Sequence, residues 1–220
     1  MGENDRIWLA GQRPDGEIQQ LPLRSWPHQG LEFVLAMDVQ QFADDLAQIL
    51  DQLGFRRVAV LGYSLGGRAA LRFALRHPSR VAALVLESAS AGITADAERA
   101  ARQVTDAELA DSIERDGIET FVARWEQLPL WASQASLPSG TRERLRAQRL
   151  TNDPKGLAHS LRGAGAGVDP PVLDRLRTMT TPTFVVTGLL DQKYVSLGVR
   201  IAAAAPLTRI SSRPSQHIAF

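Results

Sequence analysis

The sequence predicts an α/β fold with a mostly parallel sheet, and three observations carry that expectation. Short apolar runs at 58–61 and 81–86 alternate with helical stretches at 39–53 and 66–76. Helix then strand, twice over, implies parallel pairing through right-handed crossovers. The same rhythm returns at 172–212 after a long stretch without strands. Between the strand at 58–61 and the helix after it stands Gly62-Tyr63-Ser64-Leu65-Gly66, a turn type that such sheets use to present a side chain above their edge.

Taken in order, residues 6–10 and 17–23 are candidate short strands, and Pro14, Pro22 and Pro27 break any longer element. Over 39–53, Phe42, Leu46, Ile49, Leu50 and Leu53 recur at helical spacing, with Asp38 as N-cap and Gly54 as the residue past the C-terminus. The strand at 56–61 and the helix at 66–76 flank the serine turn, and His77-Pro78 closes that helix. A second buried strand follows at 81–86. From 92 to 167 the pattern is helical throughout, with helices expected at 95–114, 118–127, 141–150 and 156–161. Such a block reads as an inserted cap over an active site. A helix at 172–177, a strand at 183–187, a helix at 195–204 and a strand at 208–212 complete the core. The expected organisation is therefore core residues 1–91, cap 92–167 and core residues 168–220.

Composition excludes several classes of function. The chain of 220 residues suits one α/β domain, or one domain carrying an insertion. A net charge of +1 offers no electrostatic footprint for nucleic acid or a membrane surface. With no cysteine there is no disulfide, thiolate metal site or cysteine nucleophile, which fits a reducing, cytoplasmic setting. No apolar run approaches the roughly 20 residues a membrane span needs. The first residues lack the basic and apolar regions of a signal peptide, and Arg6 occupies the position where myristoylation wants Ser or Thr.

Chemistry concentrates on Ser64. Glycines at 62 and 66 remove the Cβ atoms that would clash in so tight a turn. The following helix start favours negative charge, with the Leu65 N–H as an oxyanion donor. A serine needs a histidine to take its proton and a carboxylate to orient that histidine. Asp191, just past the strand at 183–187, is the candidate acid; its ordinary alternative is a turn aspartate. His217 is the only histidine after Asp191 and is the candidate base; its ordinary alternative is a tail residue. His28, His77 and His159 read as surface or capping residues without metal-ligand spacing, so no metal or cofactor is expected.

Gly62-Tyr-Ser-Leu-Gly-Gly-Arg68, Leu86-Glu-Ser-Ala-Ser90, Phe121-Val-Ala-Arg-Trp-Glu-Gln-Leu-Pro-Leu130, Ala132-Ser-Gln134, Arg149-Leu-Thr-Asn152 and the segment 188–194 closely resemble one family of the α/β-hydrolase superfamily. That family is the 2-succinyl-6-hydroxy-2,4-cyclohexadiene-1-carboxylate synthases (MenH) of menaquinone biosynthesis, and the likeness runs from about residue 39 to 217. The resemblance implies an α/β-hydrolase fold and a lyase without cofactor that eliminates pyruvate from a small polycarboxylate, with Ser64 acting as a base. It also implies substrate contacts from Tyr63, Arg68, Arg102, Trp125 and Arg149. Arginine suits such a substrate because its guanidinium binds carboxylates bidentately. The ordinary alternatives are solvated helix faces for the arginines and plain packing for Trp125.

Two departures from the family pattern bear on activity. No His-Gly-Phe-like oxyanion motif precedes Ser64, and His28-Gln29-Gly30 is a poor substitute. The N-terminal strands look reduced and the helix after the histidine is missing, so the chain reads as shortened at both ends. Two further readings therefore stand beside the lyase: a general ester or carbon–carbon bond hydrolase, and a truncated, inactive homologue. Residue patterns give no oligomeric state.

Overall fold

The computed structural model describes residues 7–12, 18–23 and 39–213. Six strands form one sheet in the order β2-β1-β3-β4-β5-β6: β1 Ile7–Gln12, β2 Ile18–Leu23, β3 Val58–Tyr63, β4 Val81–Glu87, β5 Thr183–Gly188 and β6 Thr208–Arg213. Strands β3 to β6 run parallel, whereas β1 is antiparallel to both of its neighbours. The antiparallel pair has a simple cause. β1 ends at Gln12 and β2 begins at Ile18, a connection too short for the crossover that parallel strands require.

Helix α1 (Val39–Gln52) buries Val39, Ala43, Leu46, Ala47 and Leu50. The buried stripe is turned slightly from the expected one, with Phe42 and Leu53 only partly covered at its margin. Gly54, at φ 77°, ends the helix as expected, and the Phe55 N–H reaches back to the Leu50 carbonyl at 2.8 Å. Asp38, its expected N-cap, lies outside the described residues. Helix α2 (Leu65–Arg76) buries an almost continuous apolar surface, Ala69 to Ala74, against α1 and the sheet. Its C-cap is His77, whose Nε2 lies 2.9 Å from Asp44 Oδ1.

Between β4 and β5 the chain is helical. The first stretch, α3 (Asp96–Trp125), is two helices joined at Gly117, whose φ 81° and ψ 169° are not helical, in agreement with the two helices read from the sequence. Helix α4 spans Ser139–Leu150 and α5 spans Pro154–Ala164. Asp153 caps α5 by accepting the Gly156 N–H at 2.7 Å, and Pro154 fills its first position. The helix expected at 172–177 is a 3₁₀ turn, Leu173–Thr178. Helix α6 (Gln192–Ala204) then crosses from β5 to β6.

This topology sets the C-terminal ends of β3, β4 and β5 side by side. Ligands of parallel sheets bind beyond that edge. Two of the described non-glycine residues have positive φ, Ser64 at 52° and Ser88 at 43°, and each follows the last residue of a strand there.

Candidate active site

Ser64 stands between β3 and α2 with φ 52° and ψ −115°, a conformation that costs a serine about 1–3 kcal/mol. The surroundings impose it. Its N–H donates to the Glu87 carbonyl on β4 at 2.9 Å, and its own carbonyl accepts the Arg68 N–H at 3.1 Å, opening α2. A Cβ on Gly62 would lie 2.7 Å from the Gly66 carbonyl carbon and 2.8 Å from Ala70 Cβ. One on Gly67 would lie 2.5 Å from Ala89 Cβ. Leu65 is the first residue of α2, so its N–H belongs to the donors that a helix start leaves without an intrahelical acceptor. Tyr63 is buried beside it.

Asp191 follows β5 and caps α6, its Oδ1 accepting the Tyr194 N–H at 3.2 Å. That cap sets the first turn of α6, which carries the Tyr194 phenol. Arg68, Arg102 and Asp191 act electrostatically on the same phenol. Burial pushes it above its ordinary value of 10.0, so it is a neutral O–H near neutral pH. The sequence reading had passed over that tyrosine; the available signal was its place three residues after a capping aspartate. His217 and the His28-Gln29-Gly30 stretch lie outside the described residues.

Arg68 is buried and largely engaged. Its Nη1 donates to Asp169 Oδ2 at 3.1 Å and to the Gly165 carbonyl at 3.4 Å, and its Nη2 donates to the Ala164 carbonyl at 2.6 Å. Arg72, one turn further along α2, donates to the other Asp169 oxygen at 2.5 Å and to the Pro170 carbonyl. Burial lowers the Arg72 guanidinium and Asp169 raises it in opposition. Asp169 therefore ties the end of the helical segment to the serine-bearing helix. Sequence reasoning missed it, because its partners are 101 and 97 residues away.

Arg102 is half exposed and held by Asp106, Nε to Oδ1 at 2.7 Å. Arg149 is buried, bound to Glu126 Oε1 and Gln134 Oε1 at 2.9 Å each, with its guanidinium 5.4 Å from the Trp131 ring centre. Trp125 continues that stack, with Phe121 at 5.4 Å and Trp131 at 5.8 Å. Arg149 borders a cleft of about 340 Å³ that it shares with Arg142, Arg146 and Glu126. These contacts join Arg149 and Trp125 to one another's neighbours rather than to Ser64.

Glu87, at the end of β4 next to the serine turn, is fully buried. Burial pushes its carboxyl up to about 7, and its Oε1 has no hydrogen-bond partner among the described residues. Among those residues, no group of three or more His, Asp or Glu side chains is placed to hold a metal ion, and no helix is long and apolar enough to cross a membrane.

A strained serine between strand and helix, an acid after a later parallel strand and helices between them define one class. The chain belongs to the alpha/beta hydrolase fold family, whose model matches residues 35–198. Within that class it belongs with the MenH proteins. MenH from S. aureus superposes with a TM-score of 0.78 at 31% identity, covering 88% of this chain and 71% of that one. A Bacillus subtilis protein named "Putative 2-succinyl-6-hydroxy-2,4-cyclohexadiene-1-carboxylate synthase" is 43% identical over 170 residues, 77% of this chain and 62% of the relative. The synthase of Citrobacter koseri is 31% identical over 150 residues, 68% of this chain and 58% of that protein. The chain thus spans about three fifths of the length of these two relatives.

Proposed function

We propose that this chain is a lyase of menaquinone biosynthesis that eliminates pyruvate from a polycarboxylate cyclohexene to give 2-succinyl-6-hydroxy-2,4-cyclohexadiene-1-carboxylate. The observation that carries the reading is the strained Ser64 with Arg68 one helical turn beyond it, in a chain 43% identical to a protein of that name. In this mechanism His217, oriented by Asp191, takes the Ser64 proton. The Ser64 oxygen then takes a ring C–H proton. The electron pair released forms the new C=C bond, the C–O bond to the pyruvyl group breaks, and the enolate that leaves is reprotonated as pyruvate. The Leu65 N–H and the guanidiniums of Arg68 and Arg102 offset negative charge. Tyr63, Trp125 and Arg149 complete the substrate contacts, with residues 92–167 as the cap. The lack of cysteine supports a cytoplasmic setting.

One observation favours a second reading. Asp169 already occupies much of Arg68, which leaves less cationic capacity for carboxylates and suits a general ester hydrolase. Purified protein is tested for pyruvate release from the MenH substrate, beside p-nitrophenyl acetate and a Ser64→Ala control. Pyruvate release that vanishes in the control supports the lyase. Ester cleavage alone, also lost in the control, supports the hydrolase, and neither activity in a folded sample sinks both.

A further inference from the structure

Residues 164–169 are gripped from two sides. From α2, Arg68 donates to the Ala164 carbonyl at 2.6 Å, to Asp169 at 3.1 Å and to the Gly165 carbonyl at 3.4 Å. From α3, the Gln103 side chain donates to the Gly167 carbonyl at 2.8 Å, and Asp106 lies against Gly165. Two glycines allow that approach: a Cβ on Gly165 would stand 2.6 Å from Asp106 Oδ2, and one on Gly167 would stand 2.5 Å from the Gln103 backbone nitrogen. The stretch therefore fixes α3 relative to the helix that follows Ser64. Asp106 also holds Arg102, its Oδ1 accepting the Arg102 Nε–H at 2.7 Å across one turn of α3. An exposed pair at this spacing does little, because solvent screens it and both side chains must be ordered. Here the aspartate side chain is 5% exposed and the arginine side chain 42%. The carboxylate is locked by packing, and its Oδ2 has no hydrogen-bond partner among the described residues. Only one corner of Arg102 is used, since neither terminal nitrogen bonds to a described residue. A guanidinium fixed at Nε presents its Nη1–Nη2 edge as a fork, the shape that takes a carboxylate through two parallel hydrogen bonds.

We propose that Asp106 is a positioning residue for substrate binding. It holds Arg102 by Nε against the same stretch that seats Arg68, so that the two guanidiniums meet two different carboxylates of one small polycarboxylate at a set separation. Asp106 offsets part of the Arg102 charge and so weakens raw attraction. In return the side chain has little rotamer freedom left to lose when an anion arrives. The proposal rests on the proposed substrate class and on Arg102 as a substrate contact, but not on the elimination step.

The test is Asp106→Leu, which removes the acceptor, beside Asp106→Asn, which keeps the shape and one oxygen. Each is measured alone and on an Arg102→Gln background. The readouts are pyruvate release and calorimetric binding of succinate, a plain dicarboxylate. Since a hydrogen bond to a charged group contributes about 10- to 100-fold, Asp106→Leu is expected to raise KM and the succinate Kd about tenfold, with kcat within about twofold. Asp106→Asn, with its oxygen retained, should raise both about threefold. On the Arg102→Gln background neither substitution should move either constant further, because Asp106 acts only through that arginine. If Asp106→Leu does not fold, the Asp106→Asn series decides on the same criteria. Unchanged KM and Kd in the single variants would overturn the proposal. So would a further rise on the Arg102→Gln background, which would make Asp106 a residue of α3–α5 packing alone. A wild-type protein that binds succinate in an Asp106-dependent way yet releases no pyruvate would uphold Asp106 and overturn the lyase. Pyruvate release with a KM indifferent to Asp106 would do the reverse, and a wild-type protein that neither releases pyruvate nor binds succinate would overturn both.

Discussion

Asp169→Asn tests whether the buried Arg68–Asp169–Arg72 cluster holds the helical segment to the core. The carboxylate is 2% exposed and the two guanidinium side chains 9% and 6%. Removing one partner of such a pair costs about 3–5 kcal/mol, because the remaining charge is stranded in a poorly solvating site. Two features pull the value toward the low end. Asparagine keeps one oxygen for one arginine, and both arginines retain carbonyl acceptors at 164, 165 and 170. We expect a loss of about 3 kcal/mol, which for a chain of this size lowers the melting midpoint by about 6–12 °C. Urea denaturation with a double-mutant cycle against Arg72→Met measures it, and the two substitutions should be non-additive by more than about 1 kcal/mol. A loss below about 1 kcal/mol, or strict additivity, would refute the cluster as a strut.

Three further outcomes follow from single residues. Gly62→Ala forces a Cβ to within 2.7 Å of the Gly66 carbonyl carbon, so the turn must open; stability should fall by about 1–3 kcal/mol and Ser64 phosphonylation by at least about tenfold. Glu87 has a folded-state value of about 7 against its ordinary 4.5, a raised carboxyl, so folding favours its protonated form. Its contribution is present in full below pH 4.5 and is lost as pH rises through 7, about 3 kcal/mol in all, and Glu87→Gln should flatten that part of the stability–pH curve. Gly117→Ala must either adopt φ 81°, ψ 169°, a region essentially reserved for glycine, or straighten α3; a melting midpoint lowered by an amount equivalent to about 1–3 kcal/mol is expected, and no change would show that the break is not needed.

What was legible in the sequence was local. The serine turn could be read because its glycines meet atoms only a few residues away, Gly66 and Ala70 for Gly62. The α1 helix, its Gly54 terminator, the break before Ile118 and the aspartate after β5 follow from period and punctuation in the same way. Strand direction at the N-terminal end was not legible, because it depends on which edge β1 joins. Charge pairing was the larger omission. Arg102 and Asp106 stand four residues apart and could have been read as a pair. Asp169, by contrast, meets partners about a hundred residues distant, and Arg149 meets Glu126 and Gln134 from two other elements. An arginine in a sequence carries no mark of whether its donors face solvent, substrate or a carboxylate from the far side of the fold.

Arg68 shows why that ambiguity matters for mechanism. A guanidinium has five N–H donors, and in Arg68 three contacts occupy them with Asp169, Ala164 and Gly165. Whatever anion approaches meets the remaining donors, together with a charge already half offset by Asp169 and reinforced by Arg72. A substrate carboxylate would then be held by one edge of a guanidinium that the protein has locked in place, an arrangement that favours precise placement over raw attraction. Arg68→Gln removes both the strut and the charge, while Asp169→Asn weakens the strut and leaves the charge. If Arg68 binds substrate, Arg68→Gln should raise KM for pyruvate release by at least about tenfold, and Asp169→Asn should lower stability with KM changed less than about threefold. Equal increases in KM in the two variants would mean that Arg68 acts only by holding the segment 164–170 in position.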